Sequence, residues 1–116
     1  MEYKSDLRER TFIFSVNILK YVGDLPKKRA YRIVGDQLGR CGSSIGANVH
    51  EAHGSSSRPE YRRFHEIALK SANETKYWIL ILKELKGDEE KLIVLYDEAV
   101  ELAKILGSIV IKLKST

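Results

Sequence analysis

Three groups of residues in this chain could do chemistry. Two are basic: Lys27, Lys28, Arg29 and Arg32, and Arg58, Arg62 and Arg63, each placed in the first turns of an expected helix. A cation at a helix N-terminus opposes the macrodipole, at a cost of roughly 0.3–1 kcal/mol at low salt. A purely structural surface tends to avoid it. The same positions suit an anion, because side-chain cations and free backbone amides can address one phosphate together. Interspersed acids such as Asp6, Glu9 and Glu60 leave a merely solvated surface as the other reading. Tyr31 and Tyr61 lie among the cations, as stacking platforms for unpaired bases or as core aromatics.

The third group holds the histidines. His50-Glu51-Ala52-His53 resembles a zinc-protease motif, but its histidines are three residues apart where that motif needs four. The Glu-x-x-His pattern of di-iron helical proteins does not occur, so no metal or other cofactor is expected. Arg58 and His65 have the spacing of the arginine and histidine pair in certain all-helical ribonucleases. Here Pro59 follows the arginine, and the pair opens the third helix where those enzymes place it in the last. Glu51 and Glu74 could act as an acid and base pair. The simpler expectation is that Gln37, Asn48, Glu51 and Glu74 are structural polar residues, bonded across helices 2 and 3 to one another or to Ser44 and Ser71. A non-enzymatic protein is expected, with a helical ribonuclease as a weaker alternative.

Four helices must position these groups. The first, about residues 5–22, carries Leu7, Thr11, Phe14, Ile18 and Tyr21 on one face and stops at Gly23. Asp24-Leu25-Pro26 reads as the cap and first-turn proline of the second, which runs to His53 with Gly54 after it. Ser57-Arg58-Pro59-Glu60 fits a capping box and opens the third. Tyr61, Phe64, Ala68, Ser71, Thr75, Trp78, Leu82 and Leu85 follow at helical spacing as far as Gly87. Asp88 then reads as the cap of the fourth, whose stripe is Leu92, Leu95, Ala99, Leu102, Leu106, Ile109 and Leu113. No strand pattern competes. Short connections between long helices predict an all-α, antiparallel up-down four-helix bundle, one domain over residues 1–116. In such a bundle the start of the third helix lies beside both termini, so Lys4, Arg8, Arg10, Lys112 and Lys114 would join Arg58, Arg62 and Arg63.

Residues 37–54 contain a contradiction. Val34, Leu38, Cys41, Ile45, Val49 and Ala52 keep a helical apolar stripe, yet Gly35, Gly39, Gly42 and Gly46 interrupt it, each costing about 1 kcal/mol relative to Ala. A helix lying unusually close would offset that cost. Gln37-Leu38-Gly39-Arg40, Ser44-Ile45-Gly46-Ala47-Asn48-Val49, Glu51 and Gly54, with Leu25-Pro26 before and Phe64, Ala68, Ser71 and Glu74 after, resemble the bacterial four-helix-bundle proteins first met in 23S rRNA intervening sequences. That resemblance implies a ring-shaped homo-oligomer, a pentamer above other sizes. It also implies kinship with basic accessory proteins of diversity-generating retroelements. By that analogy the partners are RNA or DNA and a reverse transcriptase or other protein.

Composition narrows the alternatives. Twenty Lys and Arg against 16 Asp and Glu give a net charge of +4, mildly basic, so charge placement must decide. The single Cys41 sits on the apolar stripe and reads as a small buried hydrophobe. The longest apolar run, residues 77–82, is too short for a bilayer, and the N-terminus is charged from its second residue. No membrane partner and a cytoplasmic location are expected. Apolar residues outside the main stripes, Ile33, Ile93, Val94, Val100, Ile105 and Val110, suggest either a subunit interface or a wide core face. Sequence-tolerant phosphate binding by an oligomeric scaffold is the leading functional reading, with a protein-interaction module as its alternative.

Overall fold

A computed structural model describes residues 3–115 of the 116-residue chain, with side chains from Asp6 onward. It contains four α-helices: α1 (Tyr3–Gly23), α2 (Arg29–His53), α3 (Arg58–Lys86) and α4 (Glu90–Lys114). Successive helices pack closely along their lengths, whereas α1 and α4 touch sparingly. All four contribute to one core. The expected stripe of α1 is buried throughout, as is that of α2 from Val34 to Ala52. On α3 the buried face is His65, Ala68, Ser71, Ala72, Thr75, Ile79 and Leu82. The expected Tyr61, Phe64 and Trp78 are half-buried there, and Leu85 is exposed. On α4 the stripe is buried from Leu92 to Leu106, with Ile109 and Leu113 half-buried.

The glycines of α2 face α1. A Cβ on Gly42 would stand 2.8 Å from Ile18 Cγ2, and one on Gly46 would stand 3.0 Å from the Thr11 carbonyl oxygen. Gly35 backs onto Val22 and Leu25, and Gly39 onto Leu19. The contact they permit brings the α1 backbone against α2, which offsets the propensity cost through dispersion and burial. Cys41 lies on the opposite flank, fully buried, its Sγ 3.3 Å from Thr75 Oγ1 on α3. Burial pushes its thiol pKa up, so it stays a protonated, inert packing group.

Two helix starts differ from expectation. α2 begins at Arg29, and Asp24 does not cap it. Residues 24–28 form a turn instead, with the Lys28 amide donating to the Pro26 carbonyl at 2.9 Å. Lys28 is the extended N-cap residue and offers no side-chain cap. The cap of α4 is Glu89 where Asp88 was expected. Gly87, at φ 91, carries the chain through a conformation that L-residues rarely adopt and delays the helix by one residue. Glu89 accepts a 2.6 Å hydrogen bond from the Tyr21 hydroxyl, which lowers the Glu89 pKa, while burial and then this bond raise that of Tyr21. This bond is one of the few ties between the α1 and α4 ends.

Candidate nucleic-acid interface

The start of α3 follows the capping pattern, with the glutamate reaching one residue beyond the N-cap. Ser57 Oγ accepts from the Glu60 amide at 3.2 Å, while the Glu60 carboxylate reaches back to the Ser56 amide at 2.9 Å. Pro59 fits the first turn, where its missing N–H is not needed. Helix formation from Arg58 onward then fixes Arg58 and Arg62 one turn apart, with Arg63 beside them.

The end of α4 lies against this start. A shallow cleft is lined by Ser55, Ser56, Ser57, Arg58, Tyr61 and Lys112, floored by Ile109 and Leu113. Next to it Glu66 Oε2 receives both Arg62 Nε at 3.3 Å and Lys114 Nζ at 3.8 Å. One carboxylate therefore serves two cations. Arg63 and Lys112 are exposed and have no carboxylate partner among the described residues. The glutamate best placed to neutralise the cluster, Glu60, is turned to the serine loop. Cations, loop hydroxyls and an aromatic edge are gathered where a phosphodiester chain could lie.

Not every expected cation joins this end. Arg10 makes a two-pronged ion pair with Glu98 of α4, at 2.7 and 2.8 Å, which raises its pKa and turns it away from the α3 start. The Lys4 side chain lies outside the described residues. Lys27 and Lys28 fall in the connection before α2, so only Arg29 and Arg32 occupy its first turn; all four are exposed. That cluster lies beside the end of α3, because the Tyr31 hydroxyl donates to the Leu85 carbonyl at 3.2 Å. Tyr31 also packs on the core, which removes it as a stacking platform. Asp88, Glu89 and Glu90 mix acids with Lys83 and Lys86 there, two of them in ion pairs. Those two pair with Lys83 and Lys86, and Lys27, Lys28, Arg29 and Arg32 have no ion pair among the described residues, so both ends carry cations without a carboxylate partner.

The chain matches the 23S rRNA-intervening sequence protein family over residues 4–108. It belongs to that family. A crystal structure of a protein of unknown function from the S23 ribosomal protein family, from Bacteroides thetaiotaomicron VPI-5482, has the same fold, with a TM-score of 0.86 and 29% identity. The match covers 94% of this chain and 98% of that one. No curated protein sequence matches the chain.

The polar residues that carry the likeness to the 23S rRNA-intervening sequence family have distinct fates. Ser44 Oγ accepts from Ser71 Oγ on α3 and from Asn48 Nδ2, both at 3.0 Å. Asn48 thus ties α2 to α3 through a serine relay, not directly. Gln37 Oε1 accepts from Arg40 at 2.9 Å, and Arg40 reaches across to Glu74, which also accepts from Trp78 Nε1 at 3.3 Å. Glu51 departs from expectation. It is exposed, with no side-chain partner among the described residues, because its position falls on the outer face of α2. Ser44→Ala should strand the Ser71 hydroxyl, while Asn48 keeps the residue-44 carbonyl, and cost about 1–3 kcal/mol, whereas Glu51→Ala should stay within about 0.5 kcal/mol. Paired thermal melts check both values.

The histidines show no shared site. His50 is exposed, with Nε2 3.4 Å from the Arg8 carbonyl; His53 Nδ1 bonds the Val49 carbonyl at 3.1 Å. His65 is 1% exposed, its Nδ1 donating to the Tyr61 carbonyl at 2.9 Å and its ring tilted against Tyr61 at 4.5 Å. A general base must reach the proton it takes. His65 is buried and supports the Tyr61 ring. No cluster of His, Cys, Asp or Glu among the described residues is arranged to hold a metal ion, and no described helix is long and apolar enough to cross a membrane.

Sequence reasoning missed two features. Residues 55–57 read as a plain connection, yet they line the cleft; a serine run preceding a basic helix start was the available signal. The apolar surplus was assigned to α2 and α4. Ile33, Ile93 and Val94 are indeed exposed, but Val110 is buried and Val100 and Ile105 are half-buried. Phe12, Ile13 and Leu19 of α1 are exposed as well.

Proposed function

We propose that this chain is a non-enzymatic scaffold that assembles into a ring-like homo-oligomer, a pentamer above other sizes, and binds RNA or DNA through phosphates with little sequence preference. One observation carries this reading: Arg58 and Lys112 line one cleft at the α3 start, and beside it Arg62 and Lys114 share the carboxylate of Glu66, with Arg63 exposed next in the chain. An antiparallel up-down bundle places that convergence at a helix start, where backbone amides add to the positive field. The three-to-five-residue connections support the arrangement. Assembly around an axis would repeat the cluster once per copy and turn weak single contacts into avid binding. His65 is buried, so the arginine and histidine pair that the ribonuclease reading needs is not presented to solvent, which favours binding over cleavage. The cytoplasm, where nucleic acid is available, is the proposed location. Arg29, Arg32, Lys27 and Lys28 form a second patch at the opposite end.

Fluorescence-anisotropy titrations with single-stranded and duplex RNA and DNA of unrelated sequence test the proposal. Comparable affinity for different sequences at low salt is expected. Absence of binding at low salt would overturn it, and cleavage of the RNA would replace it with the ribonuclease reading.

A further inference from the structure

The cleft beside α3 differs in its lining from the two clefts between α1 and α4. Asp24, Glu89 and Glu90 line one of those, and Asp97, Glu98 and Glu101 line the other. No carboxylate lines the α3 cleft, which has a volume of about 560 Å³. The acids of the adjoining turns are engaged elsewhere, Glu60 with the Ser56 amide and Glu66 with Arg62 and Lys114. Part of the lining is polar and positive: Arg58, Lys112 and the three serines. Lys112 has no ion pair and the Ser56 hydroxyl no hydrogen bond among the described residues. Ser57 Oγ accepts from the Glu60 amide and keeps its own proton to donate. The rest of the lining is apolar: Tyr61, Ile109 and Leu113, all half-buried.

A phosphate alone would use the polar part of this lining and leave the apolar part facing water. A flat heterocycle alone would do the reverse. A nucleotide carries both chemistries, an anion and an aromatic face, a few bonds apart. Deepening the phosphate-binding reading on which it rests, we propose that this cleft holds one unpaired nucleotide of a single strand, its base against Tyr61, Ile109 and Leu113 and its phosphate among Arg58, Lys112 and the Ser56 and Ser57 hydroxyls. Tyr61 is suited to that task because it is already held. His65, 1% exposed, packs on its ring and bonds its carbonyl, so the ring loses little freedom when a base settles on it. The base faces of a duplex are covered by neighbouring pairs, and only a single strand offers one. Every base has such a face, so the contact selects a single strand without selecting its sequence.

An abasic DNA strand carries the phosphates of an ordinary strand and none of its bases, so it separates the two halves of the contact. In anisotropy titrations at low salt, the unaltered protein should bind an ordinary single strand at least about tenfold more tightly than an abasic strand of equal length, the effect of one stacked base. Tyr61→Leu should bring the ordinary strand down to the affinity of the abasic one. Tyr61→Phe, which keeps the ring, should keep the difference. Circular dichroism checks the fold of both variants, and the comparison of the two strands on the unaltered protein depends on neither. Single-stranded RNA of the same length is titrated beside the DNA, and Tyr61→Leu should weaken whichever of the two the unaltered protein binds more tightly. Equal binding of ordinary and abasic strands, or a difference that persists in Tyr61→Leu, would overturn this inference and leave the phosphate reading standing. Absence of binding to every strand at low salt would overturn both.

Discussion

Replacing Arg58, Arg62 and Arg63 together with glutamate should lower nucleic-acid affinity by at least about two orders of magnitude at low salt. Each lost phosphate contact removes one released counterion, and three glutamates add repulsion beside Lys112 and Lys114. The same substitutions should leave the melting temperature unchanged or slightly higher. Acids at a helix N-terminus complement the macrodipole where the arginines opposed it, although the Arg62–Glu66 pair is lost. That pairing of outcomes separates a binding role from a structural one. Unfolding accompanied by lost binding would make the arginines structural, and unchanged binding would remove the site. Titration with the same fluorescent RNA, alongside thermal melts, reads both.

Gly46→Val should strongly destabilise the α1–α2 contact. A Cβ there meets the Thr11 carbonyl at 3.0 Å and Ser15 Oγ at 3.2 Å. The first of these is backbone and cannot turn aside, and a branched side chain enlarges the overlap. Overpacking of this kind costs about 1–3 kcal/mol and occasionally more, against a total stability on the order of 5–15 kcal/mol. Gly107→Ala in α4 supplies the contrast. Nothing lies within 4 Å of its added Cβ, so better helix propensity should stabilise the protein by up to about 1 kcal/mol. Chemical denaturation midpoints with unchanged slope would confirm that both act on the folded state. A stable Gly46→Val protein would mean that the close helix approach is not what the glycines are for.

The buried stripes of α1, α2 and α4 were legible in the sequence because long helices with strong three- and four-residue periodicity leave little choice of inward face. The glycines of α2 also signalled a close neighbour, though not that α1 is the one. Helix starts were less legible. Asp24-Leu25-Pro26 has the residue types of a cap, but the Lys28 amide closes a turn onto Pro26 before the helix can begin. Glu51 read as part of the α2–α3 seam because it lies nearly one turn from Asn48; the remaining offset of about 60° carries it past the seam onto the solvent face. The exposed side of α1 was not legible at all. Periodicity reveals which face enters a core, and nothing local to Phe12 or Leu19 shows that α4 stands off from α1. At the basic end the sequence supplied Arg58, Arg62 and Arg63, while the partition of cations between Glu66 and solvent, and the withdrawal of Arg10 to Glu98, depend on which helices are neighbours.

The central claim is that the α3 start and α4 end hold a nucleic-acid backbone by charge. The most direct measurement is the affinity of the unaltered protein for a fluorescent single-stranded RNA at a series of salt concentrations between about 50 and 200 mM. Phosphate binding predicts a straight fall of log affinity with log salt, steepening by about 0.7 for each phosphate engaged on a single strand. A slope of about −2 or steeper, reproduced with an RNA of unrelated sequence, is the predicted result. A flat salt dependence, or no binding at the lowest salt, would contradict it.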